Sequence, residues 1–269
     1  IDCRLDDFDA TAAEYRRLAE HGVVGIIDQT NRGMGRNVAY VQKMAAQAGV
    51  EITHATGYYK EPFLPPECYT LTEQQLCDIM VKELTEGMEG TGVRATVIGE
   101  IGTSKDITET EAKVFRAASR AHAETGAPIC THTTLGTRGL EQLEIFKSFG
   151  VDLSRVVLSH IDLSADLDYM KRLLDQGVNI AFDTIGKCNY QPDVSRADWL
   201  SRLCAEGYDT QIVMSMDITR RSNFADRGGV GYSYLLDTFA PLASEAGVPD
   251  RAWENLLYRN ALRIYKGQK

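Results

Sequence analysis

Short apolar runs alternate with longer amphipathic stretches along most of the chain. The stretches, such as 72–88, 108–126 and 167–177, repeat apolar side chains at helical spacing, and several end in glycine, as helices commonly do. Regular alternation of strand and helix predicts an α/β fold with a parallel sheet. Seven six-residue runs have the character of strands: VVGIID (23–28), EITHAT (51–56), ATVIGE (95–100), APICTH (127–132), RVVLSH (155–160), VNIAFD (178–183) and QIVMSM (211–216).

The number of strands favours a barrel that lacks one strand. A (β/α)8 TIM barrel has eight strands and about 250 residues, and this chain has 269 residues. An open doubly wound sheet could use seven strands, but it usually carries a GxGxxG turn, which GMGRN (33–37) matches only weakly. We therefore expect one (β/α)8 barrel domain over residues 1–269, with its first strand missing from this sequence.

Composition narrows the class of partner. The net charge of −9 argues against nucleic acid or an anionic membrane as the main partner. The longest apolar runs are far shorter than a membrane span, so no membrane partner is expected. The six cysteines are scattered, with no CxxC pair, which favours a reducing, cytoplasmic location.

Carboxylates and imidazoles end several of the apolar runs. Glu100, His132 and His160 close three consecutive predicted strands, and Asp217 directly follows the last run. In a barrel, the C-terminal ends of the strands meet at one face, where the chemistry takes place. Imidazole nitrogens and carboxylate oxygens are ligands that zinc and similar divalent ions take. The pattern therefore predicts a metal site formed by Glu100, His132 and His160, with Asp217 as a further candidate.

Structural interpretations compete with this one. A single histidine at a strand end is more often a hydrogen-bonded structural residue, whereas two on neighbouring strands after a carboxylate favour a metal. Asp217 is equally compatible with a helix cap. Asp28 and Asp183 end strands as well, and we expect structural or supporting roles for them.

Longer segments resemble the phosphotriesterase family of the amidohydrolase superfamily, and most of all its branch of phosphotriesterase homology proteins. The likeness extends over nearly the whole chain. It implies a (β/α)8 barrel with two divalent metals, usually zinc, bridged by hydroxide. The segments that carry it are VIGEIGTS, ICTHTTLGTRGLEQL, GVDLSRVVLSHIDL, AFDTIGK and VMSMDITRRS.

The resemblance also implies roles for matching positions. His132 and His160 match ligands of the more exposed metal. Asp217 matches a ligand of the buried metal that also accepts the proton of the nucleophile. Glu100 lies where many members carry a carbamylated lysine that bridges both metals, and a glutamate carboxylate can bridge two ions as well. Tyr59 matches a position near the metals.

One family motif is missing from the sequence. The family opens with His-x-His on its first strand, which supplies two ligands of the buried metal, whereas this sequence begins with IDCRLDD, a stretch that follows that motif in the family. We expect the complete protein to contain this strand and to bind two zinc ions per chain. Without it, Glu100 and Asp217 alone would be too few ligands for a tight second site, and the enzyme would be mononuclear.

These observations predict a metal-dependent hydrolase. A metal-bound hydroxide would cleave an ester, lactone, amide or phosphoester bond of a small, anionic substrate, with Asp217 as the catalytic proton acceptor. Arg220 and Arg221 directly follow the strand-end motif that contains Asp217 and are candidates to bind an anionic group, although structural ion pairs are an equal alternative.

Two other functions compete with this prediction. A Schiff-base aldolase would use a lysine at a strand end, but no predicted strand ends in lysine and Lys187 lies in a loop. A metal-poor barrel for binding or assembly is favoured by the missing His-x-His motif and opposed by the four candidate ligands. A homodimer is a further possibility, because family members are often dimers.

Overall fold

The computed structural model describes residues 2–267, which form a curled sheet of parallel strands packed against helices. Each strand pairs with the next one in the chain, so the order in the sheet is the order in the sequence. The seven strands are β1 (Gly25–Asp28), β2 (Glu51–Thr56), β3 (Val97–Thr103), β4 (Ile129–Thr133), β5 (Val156–Ser159), β6 (Asn179–Phe182) and β7 (Ile212–Met214).

Helices connect the strands, as the parallel order requires. None of the helices within residues 2–267 combines the length and the apolar character that crossing a membrane demands. The α-helices are α1 (Phe8–Glu20), α2 (Val38–Ala48), α3 (Glu67–Thr70), α4 (Glu73–Thr85), α5 (Glu109–Thr125), α6 (Gly139–Ser148), α7 (Leu167–Leu174), α8 (Asp193–Ala205), α9 (Ala240–Glu245) and α10 (Asp250–Glu254).

Local signals account for where the longer helices begin and end. Thr108 caps α5 by accepting a hydrogen bond from the amide of Glu111, whose side chain bonds back to the Thr108 amide. Gly49 and Gly126 end α2 and α5 with positive φ angles of 73° and 69°, a conformation that glycine adopts without a steric penalty. The helix end predicted at Gly126 is confirmed.

The seven predicted strands are all present, but only β2 keeps its predicted bounds, and the differences at β3 and β7 concern candidate ligands. β3 continues to Thr103, so Glu100 lies in the middle of a strand and not at its end. The pairing of β3 with β4 shifts register between Ile98 and Ile101, and this irregularity brackets Glu100. β7 ends at Met214, so Asp217 lies in the loop beyond it.

The two faces of the sheet have different surroundings. Residues such as Ile129, Val156 and Ile180 belong to the large apolar core shared with the helices. The alternate positions point to the concave face, where a smaller cluster collects one residue from each of five strands and is closed by the C-terminal Ile264. Its strand residues are Ala55, Val97, Cys130, Val157 and Ala181.

β1 and β7 form the two edges of this sheet. No ladder joins them within residues 2–267, so the closed eight-stranded barrel is not completed by this part of the chain. The α/β class and the parallel sheet are confirmed, while the further first strand stays a prediction.

A buried arginine joins the loops that follow β5 and β6. Arg196 of α8 is fully buried and donates to Asp162 Oδ2 at 2.7 Å and to Asp193 Oδ1 at 2.7 Å. It also donates to the hydroxyl of Thr184 at 2.8 Å. Asp162 and Thr184 are each close in sequence to a predicted site residue, so this network holds the two loops in place.

A second buried network links β2 to α4. The carboxylate of Glu83 accepts hydrogen bonds from Arg32 at 2.9 Å, from Arg36 at 2.7 and 2.9 Å, and from the Thr56 hydroxyl at 2.6 Å. Burial tends to raise the pKa of Glu83, but the hydrogen bonds from Arg36 and Thr56 outweigh it and lower that pKa. Glu83 is therefore a buried anion whose charge the network stabilises.

Candidate metal and catalytic site

Three of the predicted ligands converge on one point of the concave face. Potential donor atoms of Glu100, His132 and His160 all lie within 4.8 Å of one another. Glu100 Oε1 is 3.2 Å from His160 Nε2, and Glu100 Oε2 is 3.7 Å from His132 Nδ1. The two imidazole rings meet edge to face, with their centroids 4.7 Å apart. The residues are 28 to 60 positions apart in the chain, and the sheet brings them together because Glu100 and His132 lie in neighbouring strands and His160 directly follows the next one.

The backbone around Glu100 is closely packed. Gly99 has a φ of 157°, and a Cβ at this position would lie 2.5 Å from the carbonyl oxygen of Cys130. The side-chain amide of Asn31 donates to the carbonyl oxygen of Glu100 at 2.7 Å. Both contacts fix the point from which the Glu100 carboxylate reaches the histidines.

His132 is held from two sides. Gln142 donates to its carbonyl oxygen at 2.9 Å, and the hydroxyl of Tyr59 lies 3.0 Å from its Nδ1 atom. Burial, together with the positive charges of His160, Lys60 and Lys187, lowers the pKa of His132 well below its usual value. The imidazole is therefore neutral, which is the form that binds a metal.

His160 is oriented by a neighbouring carboxylate. Its Nδ1 atom and its backbone amide both donate to Asp183 Oδ1 at 2.9 Å, which turns Nε2 towards Glu100. The backbone of His160 has a φ of 64°, a left-handed conformation that is uncommon outside glycine and is concentrated at functional sites. Burial alone would lower the pKa of His160, but Asp183 and Glu100 outweigh it and raise the pKa well above its usual value.

Asp217 lies beside this cluster rather than within it. Its carboxylate forms an ion pair with the ammonium group of Lys187, in the loop after β6. Its φ is 43°, so a second predicted ligand also has a left-handed backbone. The proximity of Asp217 to the cluster is visible at Tyr59, whose pKa is raised by burial and by the negative charges of Glu100 and Asp217.

The structure places the remaining predicted site residues differently. Tyr59 stands against His132, with their ring centroids 4.8 Å apart. Arg221 forms an ion pair with Asp6 and donates to the carbonyl oxygen of Arg4 at 2.6 Å. Arg220 is 3.8 Å from the carboxylate of Asp2 and is 57% exposed. The role of the two arginines in substrate binding stays a prediction, and both now have partners in the N-terminal segment.

The sequence did not point to Lys60 as a residue of this site, and it gave Lys187 no role there. Lys60 follows Tyr59 directly, and Lys187 lies four residues beyond Asp183. The position of a lysine in a loop does not show where its long side chain ends. The only sequence feature that could have indicated these lysines is that they lie close in the chain to Tyr59 and Asp183.

The cluster suits a divalent metal. Two imidazoles and a carboxylate are a common donor set for zinc and related ions. In such sites the second ring nitrogen of a ligating histidine usually donates to a carboxylate, and His160 does so to Asp183. Glu100, His132 and His160 therefore form a possible metal site.

Comparisons with known proteins agree with this architecture. The phosphotriesterase family matches residues 1–265. The phosphotriesterase homology protein of Escherichia coli is 42% identical over 99% of this chain and 91% of its own length. Its crystal structure, complexed with phosphate in the active site, superposes with a TM-score of 0.96 over 98% of this chain and 91% of that chain.

More distant relatives carry the names of hydrolases. An N-acetyltaurine hydrolase of Danio rerio is 31% identical over 96% of this chain and 77% of its own length. The structure of a lactonase from Listeria monocytogenes has a TM-score of 0.93 and 29% identity, covering 100% of this chain and 89% of that chain. These relatives support a hydrolase with a TIM-barrel architecture. The chain belongs to the phosphotriesterase family.

Proposed function

We propose that the protein is a metal-dependent hydrolase that cleaves a bond of a small, anionic substrate. The observation that carries this proposal is the convergence of Glu100, His132 and His160, with Asp183 behind His160. These three side chains would hold the metal, for which zinc is the first candidate. A bound divalent metal lowers the pKa of water to about 7 and polarises the bond that is cleaved.

Three further residues would transfer the proton, contact the substrate and orient a metal ligand. The carboxylate of Asp217 would accept the proton of the attacking water and give it to the leaving group as the bond breaks. Tyr59 stands beside His132 and would contact the substrate. The buried Asp183 accepts a hydrogen bond from Nδ1 of His160, so Nε2 would be the nitrogen that binds the metal once its proton has been displaced.

Among ester, lactone, amide and phosphoester bonds, we place the amide of an N-acylated amino compound first. The N-acetyltaurine hydrolases among the relatives are 28–31% identical to this chain over 264–273 aligned residues, and N-acetyltaurine is an amide with an anionic end. Lactones come second, because of the structural likeness to a lactonase.

We also propose that an eighth strand completes the barrel between β1 and β7. The two edges within the described residues support this proposal, since exposed edges of this kind are usually paired or covered. That strand would bring further ligands to a second metal shared by Glu100 and Asp217. An intact mass of 29.8 kDa for purified, active protein would contradict the proposal.

A cytoplasmic location and a homodimer remain predictions from the sequence.

Two measurements test this function. The first is the metal content per chain, determined by plasma mass spectrometry on protein of known intact mass. The second is the hydrolysis of amides, lactones and esters. The His132→Ala variant should lose the metal and the activity together. The His21→Ala variant is a matched control, because His21 pairs with Asp237 at the surface and should retain both. A protein that binds no zinc or manganese and hydrolyses none of these substrates would be a binding protein and not a hydrolase.

A further inference from the structure

Two lysines lie in loops around the metal-ligand cluster. Lys187, in the loop after β6, has a side chain that is only 15% exposed and pairs with Asp217. Lys60, in the loop after β2, has its ammonium nitrogen 5.7 Å from the ring centroid of Tyr59 and 6.0 Å from that of Phe63. The two loops follow strands four positions apart in the sheet.

The position of Gly102 in β3 shows how close Lys60 is to the cluster. A Cβ at Gly102 would lie 3.0 Å from the Cβ of Lys60 and 3.1 Å from the Cβ of His132. Lys60 and His132 therefore flank the same point of β3.

The cations of this region differ in how far their charge is already neutralised. Within residues 2–267, no carboxylate lies within ion-pair distance of Lys60, whose ammonium group donates to the carbonyl oxygen of Glu61 at 3.3 Å. Arg221, in contrast, is paired with Asp6, and Arg220 faces Asp2. An incoming anion would find an unneutralised positive charge at Lys60, whereas Lys187, like the two arginines, would have to exchange a carboxylate partner for it.

We propose that Lys60 and Lys187 bind the anionic end of the substrate, while the scissile bond lies against Glu100, His132 and His160. This inference rests on the hydrolase function proposed above. The group recognised is an oxyanion: a carboxylate, sulfonate or phosphate. Ammonium groups bind such anions through charge-assisted hydrogen bonds. The aromatic rings of Tyr59 and Phe63, which border Lys60, would line the spacer between the anion and the scissile bond.

The experiment compares the zinc-loaded wild type with two single variants, Lys60→Met and Lys187→Met. Each substitution removes the charge of the lysine and keeps a long side chain. Lys105→Met is the matched control, because Lys105 is an exposed lysine in the loop after β3. Binding of ethanesulfonate, an unreactive anion, is measured by calorimetry beside its neutral analogue ethyl methyl sulfone. KM and kcat are measured for N-acetyltaurine and for its neutral sulfonamide.

Removing a charged hydrogen bond should weaken ethanesulfonate binding by about 10- to 100-fold in each lysine variant. KM for N-acetyltaurine should rise to a similar extent, while KM for the sulfonamide stays unchanged. Lys60→Arg should restore much of the binding, and Lys105→Met should resemble the wild type. Melting temperatures establish that each variant is folded.

The two proposals fail in different ways. If wild-type protein binds ethanesulfonate through the two lysines but hydrolyses nothing, the hydrolase function is wrong while the anion site holds. If wild-type protein does not bind ethanesulfonate, or both lysine variants bind it as well as the wild type, the anion site is wrong. A loss confined to Arg220→Met or Arg221→Met would also overturn it, in favour of the arginines.

Discussion

Replacing Asp183 by asparagine should weaken metal binding without unfolding the protein. Asp183 is 6% exposed, and its Oδ1 atom accepts two hydrogen bonds of 2.9 Å from His160. The amide oxygen of asparagine can still accept both, but it carries no charge. Hydrogen bonds to charged groups contribute about 1.5–3 kcal/mol and neutral ones about 0.5–1.5 kcal/mol, so the variant loses about 1–2 kcal/mol at His160.

This loss should appear in the affinity for zinc, because His160 is then held less firmly in the tautomer that leaves Nε2 free. About 1.4 kcal/mol corresponds to a factor of ten, and substitutions behind a metal ligand commonly cost about 10- to 100-fold in affinity. We therefore expect Asp183→Asn to bind zinc about 10- to 30-fold more weakly.

The assay is a zinc titration in competition with a chelator of known affinity. Asp198→Asn is the control, since Asp198 is a surface residue of α8 with a side chain that is 62% exposed. The reasoning would be refuted if Asp183→Asn bound zinc within about twofold of the wild type, a difference of about 0.4 kcal/mol.

Two further predictions concern the buried ion networks. Arg196→Met should lower the free energy of unfolding by about 3–5 kcal/mol, because it leaves the buried carboxylates of Asp162 and Asp193 without their cation. In urea titrations, Arg202→Met on the same helix should change little, since Arg202 is 59% exposed, and equal effects of the two would contradict the buried network. Glu83→Gln should be less stable than the wild type above about pH 4.5, the ordinary glutamate value, because the folded protein lowers the pKa of Glu83. That difference should shrink as the pH falls through the lower, folded-state pKa, and a difference that grew on acidification would show the sign to be wrong.

Much of the fold can be predicted from local patterns in the sequence. The seven strands lie where the apolar runs predicted them, and α2 and α5 end at Gly49 and Gly126. These features depend on a few neighbouring residues: side-chain periodicity, a capping hydroxyl and a glycine with positive φ. The irregularity of β3 at Glu100 was not predictable in this way, because it arises from the pairing with β4.

The metal-ligand cluster was also predictable, for a topological reason. Parallel strands in chain order bring equivalent positions of neighbouring strands together, so donors near three consecutive strand ends must meet. His132 and His160, at the ends of β4 and β5, follow this rule, whereas Glu100 lies in the middle of β3 beside its register shift and reaches them from there. Asp217 lies in a loop beyond β7, where the rule no longer fixes a position.

The sequence by itself determined the strands, the helices and the donors that the sheet brings together, because these follow from short-range periodicity and strand order. Only the tertiary structure decided the partners of the long, charged side chains. Arg221 pairs with Asp6, 215 positions away, and Lys187 pairs with Asp217. Such pairs form wherever loops happen to bring opposite charges within reach. A flexible lysine or arginine side chain can reach many positions, so its place in the sequence does not specify which one it occupies.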